Sequence, residues 1–504
     1  MSPALLRLRL GTCPDPLSAY KTLANKPNSL LLESAEPSAG NATQSLIITD
    51  AALKITALGR ELTVKALSAN GQTLMPRLCE RLGMNAKLDG DTLTLSVPKP
   101  DPELDEDSRL KAPSVFTLVR ELLTLLPKDT DMPFSSMVAG LFGFDLVASL
   151  EDLPDVSGDE EVPDLCLYLA ETVLYLNHRN QSATLLALAL EGTQSAAYFE
   201  LSRRLADYQQ KLNAPLPLPN IAVDGPATPK VVPEDEQFKE NVALLREHIL
   251  AGDCFQVVPS RRFFAPCPEP LITYQALRNQ NPSPYMFFLN ADSFTLFGAS
   301  PESAVTVDSQ SRELAVYPIA GTRPRGVDAD EDGRFELEMR LDEKEQAEHL
   351  MLVDLARNDV ARVSEPATRT VTDLLKVDRY ERVMHLVSRV KGTLRHDLDA
   401  LHAYQSALNM GTLTGAPKIM ATRLIRQVEG RRRGAYGGAI GYVTARGDMD
   451  TAIVIRSAVV KNGEACVQAG GGVVFDSTPQ FEADETRHKA ASVLRALGAR
   501  EVKA

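Results

Sequence analysis

Two segments in the second half of the sequence carry Glu-x-x-Glu: Glu345 with Glu348, and Glu482 with Glu485. Residues three apart on a helix share a face, so each pair presents two carboxylates in one direction. Two such helices brought together offer the hard oxygen donors that magnesium takes, usually one or two carboxylates completed by water and ligand oxygens. Among 67 acidic residues such pairs also arise by accident on a solvated face, and Glu345, three after Asp342, could simply complete a helix-start box. Gly470, Gly471 and Gly472 follow a strand-like stretch and leave backbone N–H groups open to a carboxylate. A bulge at the strand end would use the same residues. Arg456 sits inside the apolar alternation Thr451–Val460, either on a solvated face or as a two-pronged carboxylate clamp. His385 in the apolar run Val383–Val390 is a packed histidine or an acid–base group. Glu302, in Ser300-Pro301-Glu302, is a turn residue or a functional carboxyl at a strand end. No G-x-G-x-x-G and no P-loop spacing is present, which leaves a nucleotide site unsupported. No cysteine lies in a glycine-flanked nucleophile turn near a histidine motif, so any ammonia must come from another chain or from solution.

These groups need elements to position them. Leu30–Leu32 and Leu46–Ile48 read as strands, Phe116–Leu126 as an apolar helix, and the acidic stretch Glu151–Asp164 as a loop. Asn213–Pro233 holds six prolines, which favour extended backbone and cannot continue a helix. The chain is therefore divided into an N-terminal domain (1–212), a linker (213–235) and a second domain (236–495). Beyond the linker, Phe238, Val242, Leu245 and Ile249 fall on one face of a helix that Gly252 is placed to cap. Hairpins follow: Met286–Asn290 with Phe294–Phe297, Ala304–Val307 with Leu314–Ile319, and Thr451–Val460 with Ala465–Gln468 across Asn462-Gly463. The last element, Pro479–Leu497, starts with Ser477 or Thr478 as cap and reads as a helix. Hairpins mixed with helices indicate an α+β fold of layered antiparallel sheets with flanking helices.

Bulk properties narrow the class. With 504 residues, 44% of them apolar and 24% charged, the chain can build more than one core. A formal charge of -13 argues against a nucleic-acid partner. The one dense basic run, Arg431-Arg432-Arg433, reads as a solvated turn. No stretch approaches the roughly 18–20 apolar residues that span a bilayer, so no membrane association is expected. Arg7 and Arg9 interrupt the first apolar run, unlike an export signal, and the six scattered cysteines lack a CxxC pair, so a reducing, cytoplasmic setting is expected.

Taken together, several motifs resemble the chorismate-binding enzyme family. They are Pro318–Pro324 (Pro-Ile-Ala-Gly-Thr-Arg-Pro), Glu348–Asp359, Gly411–Lys418, Gly437–Tyr442, Gln468–Gly472 and Glu482–Glu485, in family order across residues ~236–495. The N-terminal half resembles the family's partner domain, chiefly through Leu31-Leu32-Glu33-Ser34. The resemblance implies a large α+β structure of layered antiparallel sheets. It makes Glu348 and Glu485 direct Mg2+ ligands, with Glu345 and Glu482 acting through its waters. Tyr436 and Arg456 would bind one chorismate carboxylate, and the amides of Gly470, Gly471 and Gly472 with the magnesium would hold the other. Gly321 and Thr322 would also touch substrate. Glu302 would be the general acid on the departing ring hydroxyl, His385 would assist pyruvate elimination, and Thr412 would stand behind them.

Three features point to the ammonia-using branch. Gln256 stands where water-using isochorismate synthases carry a lysine base, and Ala320 where aminodeoxychorismate synthases carry Lys. Glu33 and Ser34, with Pro284, Tyr285 and Met286, resemble the tryptophan feedback site of the anthranilate-forming members, which Ile440 and Tyr442 could complete. Gln44 departs from that pattern, where relatives have Lys. The branch implies a lyase converting chorismate and ammonia to anthranilate and pyruvate, inhibited by L-tryptophan. A separate glutamine amidotransferase subunit would supply the ammonia, in a heterotetramer of two large and two small subunits. Two alternatives stay open: a 2-amino-2-deoxyisochorismate synthase that stops before pyruvate loss, and a noncatalytic tryptophan-sensing subunit.

Overall fold

The computed structural model describes residues 3–34, 44–101, 103–158, 161–218, 225, 228–379 and 383–499. Two long strands organise it. Gln44–Leu58 and Leu165–Asn177 pair antiparallel along their length, from Gln44 opposite Asn177 to Ala57 opposite Leu165. Each gives its two halves to different neighbours. Gln44–Leu58 pairs with Ser29–Glu33 through residues 45–48 and with Glu61–Ala66 through residues 53–58. Leu165–Asn177 pairs with Ser182–Ala189 at one end and with Met137–Phe142 at the other.

Two sheets grow from this shared ribbon. The first runs from Ser29–Glu33 through Tyr285–Asn290, Thr295–Ser300, Ser457–Lys461 and Glu464–Gly470 to Ser260–Pro266. The second runs from Met137–Phe142 through Ala439–Thr444, Met449–Ile453, Ser303–Val307 and Glu313–Val316 to Val383–Thr393. All these pairs are antiparallel, as the hairpin pattern predicts.

Alternation along the strands sorts side chains into layers. Leu46, Ile48, Phe287, Leu289, Leu141 and Ile440 form one core with members from both sheets. Their neighbours Ile47, Met286 and Phe288 pack instead with helices Pro16–Leu23, Ala196–Leu212, Pro270–Gln280 and Pro479–Ala496. Val138, Phe142, Ala439 and Val443 of the second sheet pack with helices Val115–Thr124, Glu343–Val363 and Ala400–Ala407. The order is helices, sheet, sheet, helices. Among the described residues no helix is long and apolar enough to cross a membrane.

Most expected elements form where their local signals put them. Helix Asp235–Ala251 ends at Gly252 with φ 86°, and Thr478 caps helix Pro479–Ala496 by accepting from the Phe481 N–H. Asn462 and Gly463 both have positive φ, as a two-residue hairpin turn requires. Three expectations need correction. The stretch Thr451–Val460 is two strands, because residues 454–456 carry the chain from the second sheet into the first. Within the proline-rich stretch, Lys230–Val232 is a strand paired with residues 262–264. Arg432 and Arg433 are not in a solvated turn: Arg432 pairs with the buried Asp164, and Arg433 is buried against Glu429.

Helix Pro479–Ala496 carries Glu482 and Glu485, so its anchoring matters. The buried Arg261 donates from Nε to the Thr486 hydroxyl at 2.7 Å, from Nη2 to the Ala483 carbonyl at 2.6 Å and from Nη1 to Asp235 at 2.6 Å. Arg261→Met should lower stability by about 3 kcal/mol, because the carbonyl and carboxylate lose a buried donor. Urea unfolding measures this, and an unchanged midpoint would show that the helix is held by packing alone.

Candidate active site

The chain crosses between the sheets at two places that lie side by side. One is Pro301-Glu302, between strands Thr295–Ser300 and Ser303–Val307; the other is residues 454–456. The Ile453 N–H donates to the Glu302 carbonyl at 3.0 Å, and the Ala299 N–H donates to the Arg456 carbonyl at 3.0 Å. At these crossings side chains turn off the regular alternation. Arg456 does so with φ 49°, a left-handed conformation uncommon for a non-glycine residue.

Glu302 is 7% exposed, and burial pushes its carboxyl up to about 8; the Thr412 hydroxyl, Lys489 and Arg456 only partly oppose the rise. Thr412 lies beside that carboxyl in the turn Gly411–Leu413, although its buried hydroxyl completes no well-aligned hydrogen bond. Arg433 holds the turn, donating to the Leu413 carbonyl at 2.8 Å. The Arg456 guanidinium is itself desolvated, which lowers its pKa, while the Glu485 carboxylate supports its charge.

His385 is buried, and desolvation lowers its pKa to about 4, so it is neutral at pH 7. Its Nδ1 is 3.0 Å from the Gly321 carbonyl and 3.0 Å from the Thr322 hydroxyl. A carbonyl only accepts, so Nδ1 carries the hydrogen and Nε2 is the basic nitrogen. Gly321 and Thr322 thus fix the tautomer of His385. Gly321 has φ +70°, and an added Cβ there would lie 3.1 Å from Glu345 Oε2.

The two Glu-x-x-Glu pairs begin neighbouring helices. Asp342 caps helix Glu343–Val363 by accepting from the Lys344 and Glu345 N–H groups, while the Glu345 carboxylate takes Arg323 and not the Asp342 backbone. Lys344 lies over the Phe481 ring at 5.6 Å, which sets the two helix starts together. The glycine run lies between them. A Cβ on Gly471 would come 2.5 Å from Glu482 Oε2, and one on Gly472 would come 2.6 Å from Gln256 Nε2 and 3.4 Å from Glu348 Oε1. A Cβ on Gly470 would meet the Pro259 carbonyl at 2.5 Å and the Tyr436 hydroxyl at 3.1 Å. Side chains at Gly471 and Gly472 would press on Glu482 and Gln256, and one at Gly470 on the Pro259 carbonyl.

Each glutamate has a partner: Arg323 for Glu345 at 3.0 Å, Gln256 Nε2 for Glu348 at 2.9 Å, Ser477 for Glu482, and Lys489 for Glu485 at 3.3 Å. Burial raises the pKa of Glu348 and of Glu482, and the paired glutamate adds to each rise. Among the described residues no three acidic, histidine or cysteine side chains converge tightly enough to hold a metal alone. The donor set still suits a hard cation held by two carboxylates and completed by ligand oxygens and water.

Lys489 was not singled out from the sequence. It donates to the Gly470 carbonyl at 3.2 Å and lies near Glu302, Glu348 and Glu482. Its position four after Glu485 and seven after Glu482 marks the same helix face and could have revealed it. Asp359 and Lys418, inside two of the motifs, form a buried pair at 2.5 Å that ties helix Glu343–Val363 to the Thr412 segment.

The residues named for an inhibitor do not all meet. Tyr285, Ile440 and Tyr442 turn toward the layer between the sheets, and Ser34 ends the strand beside them. Glu33 and Met286 turn the other way. The Glu33 carboxylate accepts from the Tyr274 hydroxyl and from Arg278, both at 2.8 Å, on the helix-covered face. Residues 35–43 lie outside the described residues.

The signature of chorismate binding enzymes matches residues 85–495. Anthranilate synthase component 1 of Escherichia coli (strain K12) is 51% identical over 505 residues, covering 97% of each chain. That of Serratia marcescens is 51% identical, covering 98% of this chain and 96% of its own. Among solved structures, anthranilate synthase component I from Streptococcus pneumoniae TIGR4 aligns with a TM-score of 0.72 at 31% identity, over 97% of this chain and 99% of its own. The menaquinone-specific isochorismate synthase of Escherichia coli, at 17% identity and a TM-score of 0.69 over 98% of this chain and 95% of its own, shares the fold. The chain belongs to the chorismate-binding enzyme family. Within it, anthranilate synthase component 1 proteins are its relatives over nearly the whole length.

A general acid must be protonated before it acts, and Glu302 satisfies that up to about pH 8. If Glu302 is that acid, chorismate turnover should stay level from neutral pH to about 8 and fall about tenfold per unit above it, as the proton is lost. Glu302→Gln should cost at least about 100-fold in kcat with an unchanged melting temperature. Steady-state rates across pH check both, and a glutamine variant of full activity would remove Glu302 from the chemistry.

Proposed function

We propose that this chain is the chorismate-using large subunit of an anthranilate synthase, converting chorismate and ammonia to anthranilate and pyruvate for tryptophan biosynthesis. The observation that carries the reading is the pairing, in one site, of a carboxyl kept protonated by burial with a histidine kept neutral by burial. Opposed shifts of that kind separate an acid from a base at one pH.

Chorismate is a dianion. Arg456 and Tyr436 bind one carboxylate; the Gly470–Gly472 amides and Lys489 face the other. Glu348 and Glu485, with Glu345 and Glu482 behind them, would hold magnesium, which would supply further positive charge to offset the dianion. Hydroxide is a poor leaving group until protonated, and Glu302 donates that proton, with Thr412 orienting its carboxyl. Ammonia attacks as its own nucleophile, consistent with Gln256 in place of a lysine base. His385 then accepts the ring proton through Nε2 as enolpyruvate departs and the ring becomes aromatic. Gly321 and Thr322 hold that imidazole in its reactive tautomer.

The names of the relatives number them as component 1, which supports a second component. Among the motifs of this sequence none supplies an amidotransferase cysteine, so the partner is a glutamine amidotransferase, in a cytoplasmic assembly of two large and two small subunits. Tryptophan inhibits from the layer between the sheets near Ser34, Pro284, Tyr285, Ile440 and Tyr442.

Incubation with chorismate, magnesium and ammonium should yield equal amounts of anthranilate and pyruvate, and glutamine alone should yield none. Glu485→Gln should remove nearly all turnover and keep the fold. Accumulation of aminodeoxyisochorismate by the wild type would instead assign the shorter reaction, and absence of any product would leave a sensing role. His385→Met should slow pyruvate release more than amination, so that aminodeoxyisochorismate builds up on chromatograms. Equal loss of both steps would make His385 structural.

A further inference from the structure

Asp359, on helix Glu343–Val363, is a buried carboxylate that the chemistry above does not use. Lys418 Nζ donates to its Oδ2 at 2.5 Å and to the Ala407 carbonyl at 2.9 Å. Its Oδ1 accepts no hydrogen bond among the described residues. Two cavities meet at this side chain. The larger, of about 250 Å³, is lined by Asp359 and Lys418 and also by Glu106, Asn358 and Pro417, whose exposure puts its mouth in solvent. The smaller, of about 20 Å³, is lined by Asp359, Thr412 and Glu302. Leu355 is the other side chain common to both.

A cavity needs about 10–15 Å³ to hold one water, and at least two polar groups to bind it. The smaller cavity has that room. It offers the Glu302 and Asp359 carboxyls and the Thr412 hydroxyl, whose oxygen is buried without a partner. Leu352, Leu355, Ala356, Met410 and Ile453 make up much of the remaining wall, which leaves few polar routes to Glu302 on this side.

Such a route answers a need of the proposed reaction. When Glu302 protonates the departing hydroxyl, its O–H bond breaks, an O–H bond of water forms, and a buried carboxylate remains. Burial disfavours that state, as the rise of the carboxyl to about 8 shows. The proton must return before the next turnover. On the substrate side the aminated intermediate stays in place until pyruvate departs, so return from there is blocked.

We propose that Asp359 returns the proton from behind, taking it from solvent in the larger cavity and passing it to Glu302 through the smaller one. A water between them gives one hydrogen to Glu302 and receives one from Asp359, and Asp359 is refilled from solvent. Burial raises the Asp359 carboxyl, against the opposing charges of Lys418 and Arg362, which favours its taking up a proton in passing. The inference rests on Glu302 being the acid, because Asp359 acts only through it.

A double-mutant cycle tests the relay. Asp359→Asn should lower kcat at least about tenfold while the KM for chorismate stays within about twofold. Solvent deuterium should slow this variant more than it slows the wild type, because proton return has become limiting. In Glu302→Gln there is no proton to return, so adding Asp359→Asn should change the rate by less than about twofold. Asp359→Asn combined with Lys418→Met leaves no buried charge unpaired, and the same results are expected of it should the single variant fail to fold. Losses that multiply when Asp359→Asn is added to Glu302→Gln overturn the relay and leave Glu302 as the acid. So does a wild-type rate in Asp359→Asn. A fully active Glu302→Gln removes the acid and the relay together.

Discussion

Two strands, Gln44–Leu58 and Leu165–Asn177, belong to both sheets at once, and that sharing constrains everything downstream. Sheets joined along one ribbon lie face to face, and chain that serves both must cross between them elsewhere. It crosses at Pro301-Glu302 and at residues 454–456, next to each other, and each crossing delivers one polar side chain off the strand alternation. Glu302 and Arg456 are therefore neighbours because of sheet topology, although they are far apart in sequence. Backbone hydrogen bonds between the crossings fix their spacing more firmly than side-chain contacts alone could.

Burial at that seam tunes the chemistry. Desolvation disfavours charge, raising the Glu302 carboxyl and lowering His385, so at neutral pH the carboxyl keeps its proton and the imidazole stays uncharged. Arg456 is desolvated too, and the nearby Glu485 carboxylate partly offsets that by supporting its charge. In the proposed reading, a dianionic substrate would meet Arg456, Lys489 and the Gly470–Gly472 amides, all preorganised by strands and helices. The glycines matter because Glu348, Glu482 and Gln256 occupy the space a side chain would take.

Much of this was legible in the sequence where the cause is local. Caps and turn residues marked helices Asp235–Ala251 and Pro479–Ala496 and the Asn462-Gly463 hairpin. Three-residue spacing put each glutamate pair on one face. Readings failed where distant contacts decide. Ile453, Val454 and Ile455 continue an apolar run with no glycine or proline, so no local signal marks the crossing that breaks Thr451–Val460. The Arg431–Arg433 run looked solvated because its partners, Asp164 and Glu429, are brought in by the fold. Glu33 is a different case: the two-residue period already set it on the face of Leu31, opposite Ser34, and a strict count along the strand would have separated them.

The central claim is that burial keeps Glu302 protonated until the leaving hydroxyl takes its proton. Infrared difference spectroscopy of the wild type against Glu302→Gln, titrated with base, isolates that single carboxyl. The account predicts the carbonyl stretch of a protonated acid at neutral pH, lost as pH rises through about 8. A carboxylate already ionised near pH 5, as an exposed glutamate with a pKa of about 4.3 would be, contradicts it.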